Sequence, residues 1–441
     1  LIYTIKMGKR RDTSNDKLVN LTVHTKNAED MKQFLELAKD FASIKRTKPK
    51  QKKQKKDTFE GCDWMEMPEF NVAPIRYEET TVRFTNITDA FVKWIKEMKL
   101  KVVQGSTWFP EFPEEIKTAN DYSWTAPLIP NKYPIFILSY RRPDEQKTHA
   151  YLDWIGLPYQ VVIEPEDLED YALYIDRSKL VVMPPSWKAK QLAMGNGGGI
   201  PARNYILQLA HEMGAERHWV LDDNIHNYVR SEGSKRLTMK CNPFRPVEDF
   251  VDRYSNIAIA GHNYKNFCVD TTRVKPIRWN TRIFSSILRR TDDEQWEGVY
   301  NEDLDLSIRY LKKGLVSAEF QTLLQDKTTT GRSKGGNTDT IYKVGDEEHK
   351  ALWDAKLAKA MAIKEKHSDL PIEVVYQFKD PLPHHKINLC EIFQQKPIML
   401  EAVKMTLTDK PNNYGMTLVD KENRMSLKKP YIAKLKAQLG L

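Results

Sequence analysis

Residues 218–228 read HWVLDDNIHNY, and the fold turns on how this stretch is taken. His218–Leu221 has the composition of a buried strand, and it ends at Asp222, Asp223 and Asn224. Carboxylates at the exposed end of a hydrophobic strand in an α/β pattern hold a hard divalent cation against a phosphate-bearing ligand. Taken alone, the pair reads more simply as a turn followed by a helix N-cap. What lies on either side decides.

Upstream, Gly195–Pro201 has four glycines in five positions and is expected to be a mobile loop, because ordering glycine costs so much backbone entropy. Pro201 opens a helix over Ala202–Met213, which Gly214 closes. Earlier still, Pro134–Ser139 (PIFILS) is a continuous apolar run, hence a strand buried on both faces. It stops at Tyr140-Arg141-Arg142-Pro143. A helix over Asp144–Ile155, a strand over Tyr159–Ile163, a helix end at Tyr171–Ile175 and a strand at Leu180–Met183 follow. This alternation predicts an α/β fold with a mostly parallel sheet, right-handed crossovers and flanking helices.

Downstream the pattern is mixed. A helix is expected at Val247–Tyr254, strands at Ile257–Gly261, Asn266–Thr271, Thr281–Leu288 and Val316–Phe320, and a helix at Glu302–Lys313. A glycine-rich basic loop spans Gly331–Thr338. A helix at Glu347–Lys366 and a strand at Ile372–Tyr376 come next. Residues 380–441, with a short helix at Tyr431–Leu439, read as a peripheral tail that packs on the core or binds a partner.

The first third is different in kind. Residues 1–16 read as a basic arm, and residues 17–125 as two weakly similar strand–helix repeats joined by a Lys-rich linker at 45–57. The core domain spans 130–345 and the C-terminal extension 346–441. The chain of 441 residues carries a net charge of +9, which favours a polyanionic partner only weakly. Its four cysteines are scattered without paired spacing, against a zinc site or disulfide framework and for a reducing, cytoplasmic compartment. No apolar run approaches the length of a membrane-spanning helix.

A second acidic cluster, NEDLDLSIR at Asn301–Arg309, reads either as an acid-rich helix N-terminus that complements the macrodipole or as a catalytic group. In the catalytic reading Asp303 is the base that takes a proton from an acceptor hydroxyl, Glu302 and Asp305 orient it, and Asn301 caps the helix.

Three stretches now stand in order: ILSYRRP, GIPARNYILQLAHEMGAERHWVLDDN and NEDLDLSIRYLKKG. Together they resemble the GT-A nucleotide-sugar glycosyltransferases over about Tyr133–Phe320. The combination of GGGIPARN, LDDN, GHNY and GGNTD further resembles the TET-associated glycosyltransferases of bacteriophages, over Pro134 to roughly Tyr342. The resemblance implies a Rossmann-like GT-A domain and an inverting, metal-dependent transfer. It places Mn²⁺ or Mg²⁺ on Asp222 and Asp223, with Asn224 where an Asp is common. It also places a nucleotide-sugar donor, a UDP-sugar in the first instance, against Ser139, Tyr140, Arg141, Arg142, Gly198, Gly199, Arg203 and Asn204.

The acceptor it implies is a hydroxymethylated or hydroxylated pyrimidine, such as 5-hydroxymethylcytosine, in phage DNA, within the host cytoplasm. His262, Asn263 and Tyr264 are then on the acceptor side, although His262 reads equally as a satisfied loop histidine. Arg332, Lys334 and Asn337 suit a phosphate of the donor or of DNA. Trp279, Tyr264 and Phe267 are candidates to stack on a base, or core aromatics. A protein or glycan O-glycosyltransferase, a non-catalytic DNA-binding protein and a phosphoryl-transfer enzyme remain as alternatives.

Overall fold

The N-terminal and C-terminal parts of the chain form separate contact units, residues 1–56 with 73–118 and residues 57–72 with 119–441. The computed structural model describes residues 19–25, 28–41, 64–68, 78–84, 93–94, 96–98, 106–108, 122–232, 235–268, 274–327, 348–377 and 380–420. Among the described residues no helix is long and apolar enough to cross a membrane.

The first unit contains β1 (Val19–Thr25), α1 (Ala28–Leu37), β2 (Glu78–Phe84) and β3 (Ser106–Trp108). The strand order is β2-β1-β3, with β1 antiparallel to β2 and parallel to β3. α1 buries Met31, Phe34 and Leu35, three to four residues apart as a one-sided helix requires. Strands from residues 19–25, 78–84 and 106–108 therefore share one sheet. The basic arm, the Lys-rich linker and the short helix expected at 431–439 lie outside the described residues.

The second unit runs β4 (Tyr122–Thr125), β5 (Ile135–Leu138), α2 (Thr148–Ile155), β6 (Gln160–Ile163), α3 (Leu168–Ala172), β7 (Leu180–Val182), α4 (Pro185–Ala193), α5 (Ile200–Glu212), β8 (Arg217–Asp222), β9 (Ile225–Glu232), β10 (Lys235–Lys240) and α6 (Arg245–Val251). It continues with β11 (Ile257–Tyr264), β12 (Ile277–Trp279), β13 (Ser286–Arg290), α7 (Glu302–Lys312), β14 (Val316–Lys327), α8 (Glu348–Lys366), β15 (Glu373–Gln377), β16 (Asp380–Lys386), α9 (Leu389–Ile392), α10 (Glu401–Lys404) and β17 (Thr417–Asp420).

One large sheet has the order β17-β4-β10-β9-β14-β11-β13-β8-β5-β6-β7, with β12 also on β14. It is mixed rather than mostly parallel. The ladder is parallel through β8-β5-β6-β7, where helices intervene. It is antiparallel where β13 joins β8 and β11, and where β9 joins β10 and β14. Of the strand expected at Asn266–Thr271, residues 266–268 lie in a turn instead, where the Tyr264 carbonyl accepts the backbone N–H of Phe267, and residues 269–271 lie outside the described residues. Thr281–Ser285 is irregular, and the strand begins at Ser286.

The period-2 rule sorts the central strands onto two helical layers. Ile135 and Ile137 of β5 and Trp219 and Leu221 of β8 pack with Tyr151 and Leu152 of α2 and Val247 and Phe250 of α6. Phe136 and Val220, pointing the other way, pack with Ile206 and Ala210 of α5. Each fully buried large side chain here contributes roughly 1.5–3 kcal/mol relative to exposure.

The C-terminal segment belongs to this core. β17 pairs with β4 at the sheet edge, and Tyr414 and Met416 join the main cluster. Leu304, Ile308 and Leu311 of α7 pack with Ile363 of α8, Ile372 and Leu389.

Gly261 marks the closest strand contact. A Cβ there would lie 2.1 Å from the Ser286 carbonyl oxygen and 2.6 Å from Ile283 Cγ2. Gly261→Ala is therefore expected to force β11 from β13, costing about 1–3 kcal/mol or more. A thermal melt checks this, and a variant that melts with the wild type contradicts the register.

Candidate active site

β5 and β8 run parallel in register, with Leu138 beside Asp222, so both end at the same edge. The turn after β8 is fixed by its backbone. The Asp223 carbonyl accepts from the N–H groups of Lys147 and Thr148 at 3.0 and 3.1 Å. Thr148 Oγ1 donates to the Asp222 carbonyl at 2.6 Å and accepts from the Ile225 N–H at 3.0 Å. Asp222 N–H donates to the Ser285 carbonyl at 2.8 Å.

The Asp223 carboxylate turns toward the end of β5. Its Oδ2 accepts from Ser139 Oγ at 2.5 Å and lies 2.8 Å from Arg142 Nε. Gln146 Nε2 donates to Ser139 Oγ, which also meets Tyr171 OH at 2.6 Å. Burial raises the Asp223 pKa, and Arg142 and Ser139 offset only part of this. Its Oδ1 has no hydrogen-bond partner among the described residues, nor does Asn224 Oδ1.

The Asp222 carboxylate turns the other way. Oδ1 lies 3.2 Å from Arg203 Nη2, and Oδ2 is paired with Lys327 Nζ. Burial alone would raise its pKa, but the Lys327 and Arg203 cations outweigh that and hold it at about 2. Arg203 of α5 is itself buried, with its guanidinium 4.7 Å above the Trp296 ring. It also lies 3.7 Å from Glu302 and 3.6 Å from Asp303 at the start of α7.

Asp303 keeps 21% of its side chain exposed, and its Oδ1 has no hydrogen-bond partner among the described residues. Burial pushes its pKa up to about 7, against Arg203 and with help from Glu302 and Asp222. A carboxylate whose pKa burial raises, and which keeps part of its side chain exposed, suits general base work. Asp305 differs. It is buried against His367 at 2.9 Å and Arg309 and Lys366 at 3.0 Å, so it anchors α7 to α8. Asn301 makes no side-chain cap; its Nδ2 donates to the Lys359 carbonyl at 2.6 Å.

The expected donor residues divide. Arg141 N–H donates to Asp167 Oδ2 at 3.1 Å, and the guanidinium lies 4.9 Å from the Tyr140 ring centroid. Gly198 has φ +58°, and a Cβ on Gly199 would lie 3.2 Å from Leu138 Cδ1. Asn204 is an internal clamp: its side chain accepts from Trp296 N–H at 2.8 Å and donates to Trp296 O at 3.0 Å. It thereby holds the ring beneath Arg203. The Gly195–Pro201 segment is tied down rather than loose, since Gly197 N–H donates to Gly298 O and Gly298 N–H to Asn196 Oδ1.

On the expected acceptor side, His262 takes the satisfied-histidine reading of the two, and Asn263 is corrected. His262 is a core residue that bonds Ser286 Oγ at 2.9 Å and Pro243 O at 3.1 Å, stacked on Trp219. Its pKa falls to about 3 through burial. Asn263 is buried and donates to Gln321 Oε1 at 3.1 Å. Trp279 packs inside against Phe250 and Tyr254. Tyr264 does border the site, through Ser285 Oγ at 2.7 Å. Arg332, Lys334 and Asn337 lie outside the described residues.

Lys327 and Ser285 escaped the sequence reading. Ser285 Oγ accepts from Lys327 Nζ at 2.8 Å, and Ser285 has φ +65°. Arg141 and Asn301, also at positive φ, border the site as well. Backbone strain in non-glycine residues gathers at functional sites.

A divalent cation held by Asp222, Asp223 and Asn224 needs oxygens free of protein cations. Both oxygens of Asp222 are engaged, one by Arg203 and the other by Lys327. Among the described residues no group of three or more His, Cys, Asp or Glu side chains is arranged to hold a metal ion. The residues do not fit the expected cation at Asp222.

No curated protein matches the chain. Residues 133–336, which hold β5 through β14 and every carboxylate described above as facing Arg203, match the family described as TET-Associated Glycosyltransferase. The domain that carries this site belongs to the TET-associated glycosyltransferase family.

Proposed function

We propose that the domain is a GT-A-like enzyme that moves a sugar from a nucleotide-sugar donor, a UDP-sugar in the first instance, to the hydroxyl of a modified pyrimidine in DNA, with inversion. The observation that carries this reading is Asp303. It is a partly exposed carboxylate with a pKa near 7, and Arg203 links it to Asp222. In the reaction Asp303 takes the acceptor hydroxyl's proton as that oxygen bonds the anomeric carbon. The bond from that carbon to the diphosphate breaks, and its electron pair leaves with the nucleoside diphosphate. Developing negative charge there is met by preorganised cations, among them Arg142.

The unpartnered Asp223 Oδ1 and Asn224 Oδ1 are acceptors suited to hydroxyls of the donor's ribose or sugar. Beside the site, Phe267 is 64% exposed, with Tyr264 at 5.2 Å and Phe284 at 6.3 Å between ring centroids. Such a surface supports a stacked base, and a duplex base would have to leave the helix to reach Asp303.

The test is incubation with a panel of nucleotide sugars and hydroxymethylated DNA, followed by nucleoside mass spectrometry. A sugar mass added to the modified pyrimidine is expected. Labelling of a protein or glycan with no nucleoside product would overturn the DNA acceptor, and no transfer to any acceptor would overturn the enzyme.

A further inference from the structure

We infer that Lys327, with Arg203, stands at Asp222 in place of a divalent cation, and that donor binding and sugar transfer need no metal. This rests on the nucleotide-sugar reading above and assigns the charge that neutralises the donor's diphosphate.

Three independent features lead to Lys327. First, β14 is irregular at its end. Its pairing with β9 shifts register between Asp326 and Lys327, so that Lys327 sits opposite Ile225, next to the Asp222–Asn224 turn. A bulge of this kind re-aims a side chain, and bulges gather at functional sites. Second, the ammonium has a job left over. It donates to Asp222 Oδ2 and Ser285 Oγ, while an ammonium has three donors. Its side chain keeps 10% exposure, and the ammonium lies 5.8 Å from the Tyr264 ring centroid at the border of the site. Third, the charges already close. Asp222 is met by Arg203 and Lys327, Asp223 by Arg142, and Glu302 by Arg203. A dication entering here has to displace Lys327 or Arg203 from Asp222. A diphosphate entering instead meets cations already held in place, which spares reorganisation when the leaving charge develops.

The step is unchanged in its balance. The anomeric C–O bond breaks, the electron pair stays on the diphosphate oxygen, and the Lys327 ammonium hydrogen-bonds that oxygen without transferring its proton.

Calorimetry on the full chain tests this, with UDP, GDP, CDP and ADP as probes, once in EDTA and once in Mn²⁺. At least one diphosphate is expected to bind with a Kd that agrees within about threefold between the two conditions. Lys327→Met is expected to weaken it by about 30-fold or more, as loss of a charge-assisted hydrogen bond does, and Lys327→Arg to retain most of it. Mn²⁺ alone is expected to give no saturable heat.

Diphosphate binding that weakens tenfold or more in EDTA overturns the inference while leaving the donor reading intact. Saturable Mn²⁺ binding that Asp222→Ala abolishes does the same. No diphosphate bound in either condition overturns the donor reading and this inference with it. If circular dichroism shows Lys327→Met unfolded, the EDTA comparison and Lys327→Arg decide.

Discussion

Asp303→Asn is expected to lower kcat by about a thousandfold, within the range general base catalysis contributes, while donor Kd stays within a few-fold. The asparagine keeps the shape but cannot accept the hydroxyl proton. The wild type should also show a pH limb of its own. The base works ionised, and burial favours its neutral form, pushing the pKa up to about 7. Activity is therefore expected to rise with pH through about 7 and then level, with a slope of one proton. Initial rates from pH 5.5 to 8.5 check both points. Weakened donor binding with normal turnover would make Asp303 a binding residue instead.

Arg203→Met is expected to be the most damaging single change for stability. Arg203 is buried and faces Asp222, Glu302 and Asp303, so its loss leaves these carboxylates crowded, with Lys327 ion-paired to Asp222. Removing one partner of a buried charge pair costs about 3–5 kcal/mol. The pH dependence has a definite sign. Carboxylates whose folded pKa is raised contribute stability at low pH that is lost as pH rises through that pKa. The deficit relative to the wild type is therefore expected to grow between pH 5.5 and pH 8. Melting temperatures at the two pH values measure it; an equal deficit at both would contradict the carboxylate cluster.

The parts of this site that could be read from the sequence were those whose chemistry is local. β5 and β8 are continuous apolar runs, and helix α7 begins in acids, so Ser139, the Asp222–Asp223 pair and Asp303 were all visible. What escaped was set by tertiary contacts. β14 was expected to end at Phe320, because Gln321, Thr322 and Gln325 follow. In the fold these are buried. Gln325 Nε2 donates to the carbonyls of His262 and Phe284, which lets a polar residue continue the strand in the core. Losing those seven residues lost Lys327 at the far end.

The same logic runs in reverse for His262. GHNY left His262 open between an acceptor-side residue and a satisfied histidine, and Ser286 and Pro243 satisfy both ring nitrogens. For the tail, packing on the core was one of two readings, and the strand it joins was not legible. Residues 380–420 are rich in Pro and Lys, but β17 joins the sheet edge at β4, and Asn280 donates to the carbonyls of Phe393 and Gln395. Pairing partners some hundreds of residues apart leave no periodic trace in either segment.

The most direct measurement is a crystal structure of the full chain with a nucleoside diphosphate. The diphosphate is expected at the ends of β5, β8 and β14, within hydrogen-bonding distance of Lys327 Nζ, with the nucleoside against Ser139–Arg142. A diphosphate bound elsewhere, or bound here through a metal ion that has displaced Lys327 from Asp222, would contradict the account.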